Sequence, residues 1–450
     1  MTRTLAHEMA GFVRGLVWDD VPREVRDCVR GRVLDAVSTA LAGRSTPVTR
    51  RAVEAMAWAA PGLGQCTVLV EDRPSGPAAA AFVNAVAVHA LLYEDVNLSS
   101  GDHPGAVVVP AALAAVEAAE SVTARAATSH DLLAAVLTGY EVHLWLGTLA
   151  AEGIMRRGLR TTSILGAVGA AAAAARALRL DADQVATALA LASTAGAGHM
   201  EGFIGGTEEP YLQAGYASQA GLVSALLAAS GVDAAPTAFE GDLGFLRAVA
   251  DVTGEVPLTR PTGWLVLGVA AKPYPISGGK ITAVDSALAL VEQGVRVEDV
   301  VRVRVVVPDW VKNFPPADKA GPYASMYQAQ ESIQFCVAAA LAGLPMDALS
   351  TVVDRYADPV VAELSGRVEV QGESGRVLSL IEVTSRDGST RAAEVDWSGR
   401  HRATVEAMLA KLEALAAGAW PRDAPRRLAI VLGAQRPLPI EDLTQALRPR

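Results

Sequence analysis

Lysine and cysteine are both scarce in this sequence. Only five lysines occur, all at or after position 272, so arginine supplies 34 of the 39 basic residues. The three cysteines, Cys28, Cys66 and Cys336, are too few and too scattered for a disulfide framework or a cysteine-based metal site. The pattern predicts a protein of a reduced cytoplasm, with the cysteines as small core residues. The arginine bias is typical of a GC-rich bacterial host.

A basic surface and long apolar runs are also missing. The formal net charge of −10 argues against a nucleic-acid partner, because a phosphate-binding surface needs a basic stripe and none is visible in the sequence. No uninterrupted apolar run reaches the roughly 18 residues that span a bilayer, and the longest, 164–175, is mostly alanine. We therefore predict no membrane span. The N-terminal stretch contains Glu8 and no continuous apolar segment, which predicts no secretory signal.

The apolar residues before position 268 recur with helical spacing. Helices are predicted at 21–41, 77–92, 106–120, 129–147, 164–178, 182–196 and 213–230. Alanine dominates their faces, which allows helices to approach closely in a compact bundle.

The pattern changes after Trp264. Strands are predicted at 301–307, 368–370, 377–384 and 391–395, with a hairpin turn at Asp387-Gly388. Helices are predicted at 280–293, 327–343 and 402–416. The predicted fold is mainly α, with a large all-helical domain at 1–268, completed by 397–450, and a smaller inserted α/β domain at 269–396.

Acids and imidazoles are concentrated between two predicted helices, in the segment HALLYEDVNLSSGDHPGAVVVP at 89–110. Such groups are costly to bury without partners, so the cluster indicates a site that handles protons or carboxylates. His103 lies in a turn-forming pentad and is the natural proton carrier near neutral pH. A loop histidine bonded to backbone is an equally open interpretation.

A second candidate segment is Lys272-Pro-Tyr-Pro followed by Ser277-Gly278-Gly279-Lys280 and a predicted helix. Backbone amides at a helix start, glycines and two ammonium groups favour an anion, and a carboxylate fits better than a nucleotide because Ile281 follows Gly-Lys. A glycine-rich hinge with exposed lysines is the alternative.

The whole chain resembles the MmgE/PrpD family, which includes 2-methylcitrate dehydratase, cis-aconitate decarboxylase and an iminodisuccinate epimerase. The resemblance rests on the segment after His89, on RGLRTTSILGAVGAAAAAARAL at 157–178, on YLQAGYASQAGLVSALLA at 211–228 and on KPYPISGGKITAVDSAL at 272–288. It implies an all-helical domain with an α/β lid, a homodimer, and no metal or organic cofactor. It also implies functional roles for His103 and Lys272.

The sequence departs from the family pattern at several polar positions. The family's Asp-aromatic-Asp-Asp-Thr falls on 92–96, where Leu92 and Val96 replace the first aspartate and the threonine. Asp95 is then the best carboxylate candidate, with Asn97 supplying the lost polar contact. Arg160 replaces a histidine of the family's site and is interpreted as a carboxylate clamp, although a surface arginine is nearly as plausible.

Basic residues of the family are also absent further along. Its lysine, histidine and arginine after Thr207 fall on Pro210, Gln213 and Tyr216, and the arginine and histidine of its Lys-x-Tyr-Pro motif fall on Gly278 and Ile281. A tricarboxylate such as citrate or aconitate would be poorly neutralised, so a less anionic carboxylate or carbonyl compound is expected.

We therefore predict a lyase that works by acid–base chemistry, in specialised metabolism. The predicted catalytic residues are His103, Asp95 and Lys272. The predicted substrate-binding residues are Arg160, Lys280, Gly278, Gly279, Tyr274, Asn97, Tyr216 and Gln213. An isomerase, epimerase or cyclase on the same fold is one alternative. A binding protein that has lost catalysis is another.

Overall fold

A computed structural model describes residues 3–62, 64–396 and 401–448. These residues form two compact units. The first comprises Met1–His199, Glu209–Ala271 and Arg402–Arg450, and the second comprises Met200–Glu208 and Lys272–His401.

Helices make up almost all regular structure before residue 272. They are α1 Leu5–Gly15, α2 Arg23–Gly43, α3 Pro47–Ala59, α4 Pro77–His89, α5 Pro104–Thr123, α6 Ser129–Arg156, α7 Thr161–Ala177, α8 Ala182–Ala195, α9 Glu201–Gly205, α10 Glu209–Ala229 and α11 Phe245–Ala248. The first unit contains all of these except α9.

Local chemistry sets where these helices begin. Proline opens α4 and α5, where a missing N–H costs nothing. Thr128 caps α6 and Asp181 caps α8, each in a reciprocal capping box.

Small residues hold the bundle together. Helix α7 is buried almost throughout because its alanines and glycines leave room for helices on several sides. A Cβ at Gly169 would lie 2.8 Å from Cβ of His143, so glycine is required where α7 crosses α6. Two helices, α5 and α6, are long and apolar enough to cross a membrane by length and composition, but they are core helices, with 78% and 89% of their apolar windows buried.

The second unit adds a four-stranded sheet to the helices α12 Ile281–Glu292, α13 Asp309–Asn313, α14 Met326–Glu331, α15 Ile333–Leu341, α16 Leu349–Val353 and α17 Pro359–Ser365. Its strands are β1 Val300–Pro308, β2 Val368–Glu373, β3 Leu380–Ser385 and β4 Thr390–Glu394, in the spatial order β2-β1-β3-β4. Strand β1 is parallel to β2 and antiparallel to β3. Val303 and Val305 of β1 are buried and pair with valine and isoleucine on β3, which builds the core of this unit.

The chain then returns to the first unit through α18 Val405–Leu415, α19 Ala424–Gly433 and α20 Ile440–Leu447. The mainly α fold with a smaller α/β part is thus confirmed, and every described strand lies after residue 299. Several predicted boundaries are wrong, among them the end of the helix expected at 129–147, which extends to Arg156. The helix expected at 327–343 is broken at Ser332, whose side chain caps a new helix, and the strand expected from 377 begins at Leu380.

Candidate active site

The segment predicted to hold the site is a buried loop between α4 and α5. Helix α4 ends at His89, and α5 begins at Pro104. Leu92 has a φ of 50°, a left-handed conformation that turns the backbone sharply before the two acids that follow. Val96 pairs with Ala270, which fixes the middle of the loop.

Asp95 is held by three groups of the first unit. Its Oδ1 accepts a hydrogen bond from the Gly105 amide at 3.0 Å, and its Oδ2 accepts one from the Tyr140 hydroxyl at 2.6 Å. The Arg32 guanidinium lies 3.5 Å from Oδ2, with both side chains buried. Burial raises the pKa of Asp95, and the positive charge of Arg32 opposes this rise. The carboxylate of Asp95 is thus committed to contacts within the fold.

His103 contacts the backbone of Asp95 and the side chain of its neighbour. Its Nδ1 lies 2.8 Å from the carbonyl oxygen of Asp95 and 3.1 Å from Oε1 of Glu94. The residue is 8% exposed, while Glu94 is fully buried. The structure therefore brings the predicted histidine to the carboxylate of Glu94, which the sequence analysis did not single out.

His89 is a second residue that the sequence analysis did not select. Its Nδ1 lies 2.6 Å from Oε1 of Glu94, and its ring centroid lies 5.0 Å from that of His103. Burial lowers the pKa of His89 to about 3, with Glu94 opposing the shift and Arg160 adding to it. In the run His-Ala-Leu-Leu-Tyr-Glu, His89 and Glu94 are five positions apart. This spacing does not predict a contact between them, because helix α4 ends at His89.

Arg160 is buried at the start of α7 and contacts protein groups. Its guanidinium donates to the carbonyl of Pro210, to Oε1 of Gln213 at 3.2 Å and to Nε2 of His89 at 2.5 Å. Gln213 donates in turn to the His199 carbonyl at 2.9 Å. Two predicted substrate-binding residues thus contact one another, and both belong to the first unit.

A further buried pair backs the same loop. Oδ2 of Asp102 lies 3.1 Å from Nε2 of His143 on α6, and it accepts a hydrogen bond from Ser100 at 2.6 Å. Asn97 donates to the Ser100 hydroxyl at 2.5 Å, and its backbone pairs with that of Asp102. Asn97 thus helps to fix the shape of the loop.

Tyr216 lies apart from this cluster. It is 57% exposed on α10, and its ring packs edge-on against Phe82 at a centroid distance of 5.2 Å.

The remaining predicted residues belong to the second unit. Lys272 is buried there, 1% exposed. Lys280 is equally buried. Its ammonium group forms an ion pair with Glu331 at 2.9 Å and donates a hydrogen bond to the Ser277 hydroxyl at 3.0 Å. Gly278 and Gly279 form a 3₁₀ turn with Lys280 immediately before α12. Both lysines are therefore buried, whereas the alternative of a glycine-rich hinge had them exposed.

Tyr274 donates a hydrogen bond to Asp285 at 2.8 Å, within the same unit. A Cβ on Gly279 would lie 3.3 Å from Trp310 and Val311 side chains, so the turn packs tightly against α13.

Three side chains of the first unit have the composition of a metal-binding group. Ligand atoms of His89, Glu94 and His103 lie within 4.8 Å of one another. Two imidazoles with one carboxylate suit a divalent transition metal, and they equally suit proton transfer by a carboxylate-oriented histidine. The hydrogen-bond donors and acceptors around these three side chains decide between metal binding and proton transfer.

Comparison with known proteins follows the same division of the chain. The model of the MmgE/PrpD N-terminal domain matches residues 7–254, and that of the MmgE/PrpD C-terminal domain matches residues 274–435. A cis-aconitate decarboxylase-like protein of Aspergillus oryzae is 28% identical over 283 residues, which cover 60% of this chain and 58% of the relative.

Two further relatives carry the name cis-aconitate decarboxylase. That of Aspergillus terreus is 27% identical over 253 residues, covering 56% of this chain and 51% of its own length. That of Homo sapiens is 25% identical over 409 residues, covering 87% of this chain and 82% of its own. The chain thus matches little more than half the length of the two fungal relatives.

Proposed function

This chain belongs to the MmgE/PrpD family, and we propose that it is a lyase that moves a proton between His103 and a carbon next to a carboxylate or carbonyl group. The observation that carries the proposal is the setting of His103. An imidazole oriented by a backbone carbonyl and a buried carboxylate, and still slightly exposed, is suited to general acid–base catalysis. The names of the relatives point to the same class, in which a carbon–carbon or carbon–oxygen bond breaks without hydrolysis.

In the proposed step, His103 takes a proton from the substrate carbon. The electron pair of the broken C–H bond forms a carbon–carbon double bond, while the bond from the adjacent carbon to the leaving group breaks and the leaving group departs with that bonding pair. Decarboxylation uses the same residue in the other direction, since loss of carbon dioxide leaves a carbanion that the protonated His103 neutralises. Glu94 stabilises the imidazolium of His103, which is formed in the elimination and consumed in the decarboxylation.

We propose a substrate less anionic than a tricarboxylate. The guanidinium of Arg160 donates hydrogen bonds to Pro210, Gln213 and His89. These contacts weaken the interpretation of Arg160 as a substrate clamp. Lys272 is proposed to bind a substrate carboxylate, supported by its burial and its match to the family motif. No cofactor is part of the proposal.

The test compares two single variants with a matched control. The probes are cis-aconitate and a panel of hydroxylated and unsaturated mono- and dicarboxylates, followed by proton NMR in D₂O. His103→Ala is expected to lower turnover by about 10² to 10⁴ with a smaller change in affinity. Lys272→Ala is expected to weaken binding by about 1.5 to 3 kcal/mol. His7→Ala, a change in α1, should leave both unchanged.

The outcomes separate the candidate functions. Equal, small losses in the first two variants would contradict the proposal. Exchange of substrate hydrogen for deuterium without bond cleavage would favour an isomerase, which shares the proton step. Binding of a probe without any reaction would favour a non-catalytic binding protein, the reading that the lost family residues support.

We also propose a cytoplasmic location and a homodimer. Cys28, Cys66 and Cys336 are free thiols, which fits a cytoplasmic protein. Homodimerisation is proposed from the family resemblance and the small-residue faces of the helices.

A further inference from the structure

Four polar side chains of the first unit form one continuous series of contacts, here called the Glu94 network: Arg160, His89, Glu94 and His103. The guanidinium of Arg160 contacts Nε2 of His89, Nδ1 of His89 contacts Oε1 of Glu94, and the same oxygen contacts Nδ1 of His103. All four side chains are at least nine-tenths buried. Each contact must therefore pair a donor with an acceptor.

The Arg160 end of the network fixes the tautomer of His89. A guanidinium carries only donors, so Nε2 of His89 must offer its lone pair to it. The proton of the neutral ring is then on Nδ1, where it is donated to Glu94. His89 remains neutral near pH 7 because burial lowers its pKa to about 3.

The other end fixes the tautomer of His103 independently. The carbonyl oxygen of Asp95 can only accept, so the Nδ1 atom 2.8 Å from it must carry a proton. That proton also faces Oε1 of Glu94 at 3.1 Å. The lone pair of neutral His103 is therefore on Nε2, the nitrogen that can take a proton from a ligand.

We infer that Arg160 and His89 are positioning residues that hold Glu94 as a hydrogen-bond acceptor for His103. The network has one direction, since both histidines donate toward Glu94 and Arg160 donates toward His89. Arginine at position 160 is what makes this direction unique, because a histidine or glutamine there could also accept. The consequence for catalysis, that Nε2 of His103 is the base, rests on the proposed function.

The same assignment of protons argues against a metal ion bound by His89, Glu94 and His103. A metal on Nδ1 of His89 or His103 would have to replace the proton that the contacts with Glu94 and the Asp95 carbonyl require there. His89 would then have a metal on one nitrogen and a guanidinium donor on the other, which requires it to lose its last proton. A cation would also lie next to the buried charge of Arg160.

The test reads the tautomers directly and needs no substrate. The full-length protein is labelled with ¹⁵N in its seven histidines, and long-range ¹H–¹⁵N correlations are recorded at pH 7. The His89→Gln and His103→Gln variants assign the two signals. His89 is expected in the Nδ1–H form, and Nδ1 of His103 is expected to carry a proton. An Nε2–H or doubly protonated ring at His89, or an unprotonated Nδ1 at His103, would overturn the inference.

Two substitutions of Arg160 provide the matched comparison. Arg160→Lys keeps a group that can only donate, so His89 should stay in the Nδ1–H form. Arg160→Met has similar length and no donor, and it should allow the Nε2–H form of His89 to appear. An unchanged His89 tautomer in Arg160→Met would show that arginine does not set it. Circular dichroism confirms that each variant is folded before the tautomers are compared.

Zinc and kinetics complete the design. Titration with zinc chloride should show no stoichiometric site that Glu94→Gln removes, and finding one would replace the network with a metal centre. If one of the carboxylate probes is a substrate, Arg160→Met is expected to lower its kcat by about 10- to 100-fold with little change in KM. A raised KM with unchanged kcat would instead make Arg160 a substrate clamp. The NMR result stands even if no probe reacts, so the network and the proposed activity can fail separately.

Discussion

Gly105→Ala is the substitution for which the structure makes the sharpest prediction. A Cβ at this position would lie 2.6 Å from the Tyr140 hydroxyl and 2.7 Å from Oδ1 of Asp95. Both distances are shorter than a carbon–oxygen contact allows, so Asp95 or Tyr140 must move. Their movement weakens the hydrogen bonds that the Gly105 amide and Tyr140 donate to the buried Asp95 carboxylate.

The expected cost follows from these contacts. A hydrogen bond to a charged group contributes about 1.5 to 3 kcal/mol, and overpacking a core costs about 1 to 3 kcal/mol. Replacing glycine by alanine in a helix returns about 0.5 to 1 kcal/mol. We expect Gly105→Ala to lower the free energy of unfolding by about 2 to 4 kcal/mol.

The assay is equilibrium urea unfolding followed by far-UV circular dichroism. Gly11→Ala is the matched control, because it is also helical and has open space where the Cβ would lie. That control should gain about 0.5 to 1 kcal/mol. Tyr140→Phe removes one of the two clashing oxygens, so Gly105→Ala should cost less in that background than in the wild type. Equal effects of Gly105→Ala and Gly11→Ala would refute the account of how Asp95 is held.

Three further predictions concern acid sensitivity, a buried ion pair and assembly. The pKa of His89 is about 3 in the folded protein and 6.5 in the unfolded chain, so between these pH values unfolding takes up a proton. The free energy of unfolding should therefore fall as the pH decreases from 6.5 toward 3, by up to about 1.4 kcal/mol per pH unit. Urea midpoints at pH 7 and pH 5 should show this loss, and His89→Gln should reduce it. Glu331→Gln leaves the Lys280 charge buried and should cost about 3 to 5 kcal/mol. Glu369→Gln, whose pair with Arg302 is exposed, should change the urea midpoint far less, and equal midpoints for the two variants would contradict this. Light scattering at micromolar protein should show a dimer, and a single species of 46.6 kDa would rule it out.

The helical half of the fold could be predicted because its signals are local. Apolar spacing and the prolines before α4 and α5 identify helices within a few residues of their observed bounds. The break at Ser332 is also local in origin, but a serine cap within an apolar run looks the same as a tolerated polar residue in one continuous helix.

The division of roles between Glu94 and Asp95 could not be predicted, because it depends on residues far away in sequence. Both acids sit in the same short run, and the family pattern favoured the second. The Asp95 carboxylate contacts Arg32 and Tyr140, which lie 63 and 45 positions away in sequence. Glu94 is therefore the acid whose carboxylate faces His103. Arg160 was named from sequence for its chemistry, but its partners at Pro210 and Gln213 only become neighbours through the packing of α7 against α10.

The return of the chain through α18 has a consequence for the order of events during synthesis. Lys411 on this helix donates to the carbonyl of Tyr93 at 2.6 Å and to Asp35 on α2 at 2.7 Å, so it tethers the residue just before Glu94. The ribosome makes the whole second unit before it reaches Lys411. The loop that carries Glu94 and Asp95 therefore lacks this tether until more than 300 further residues have been made, and its full set of anchoring contacts forms only after α18 has been synthesised.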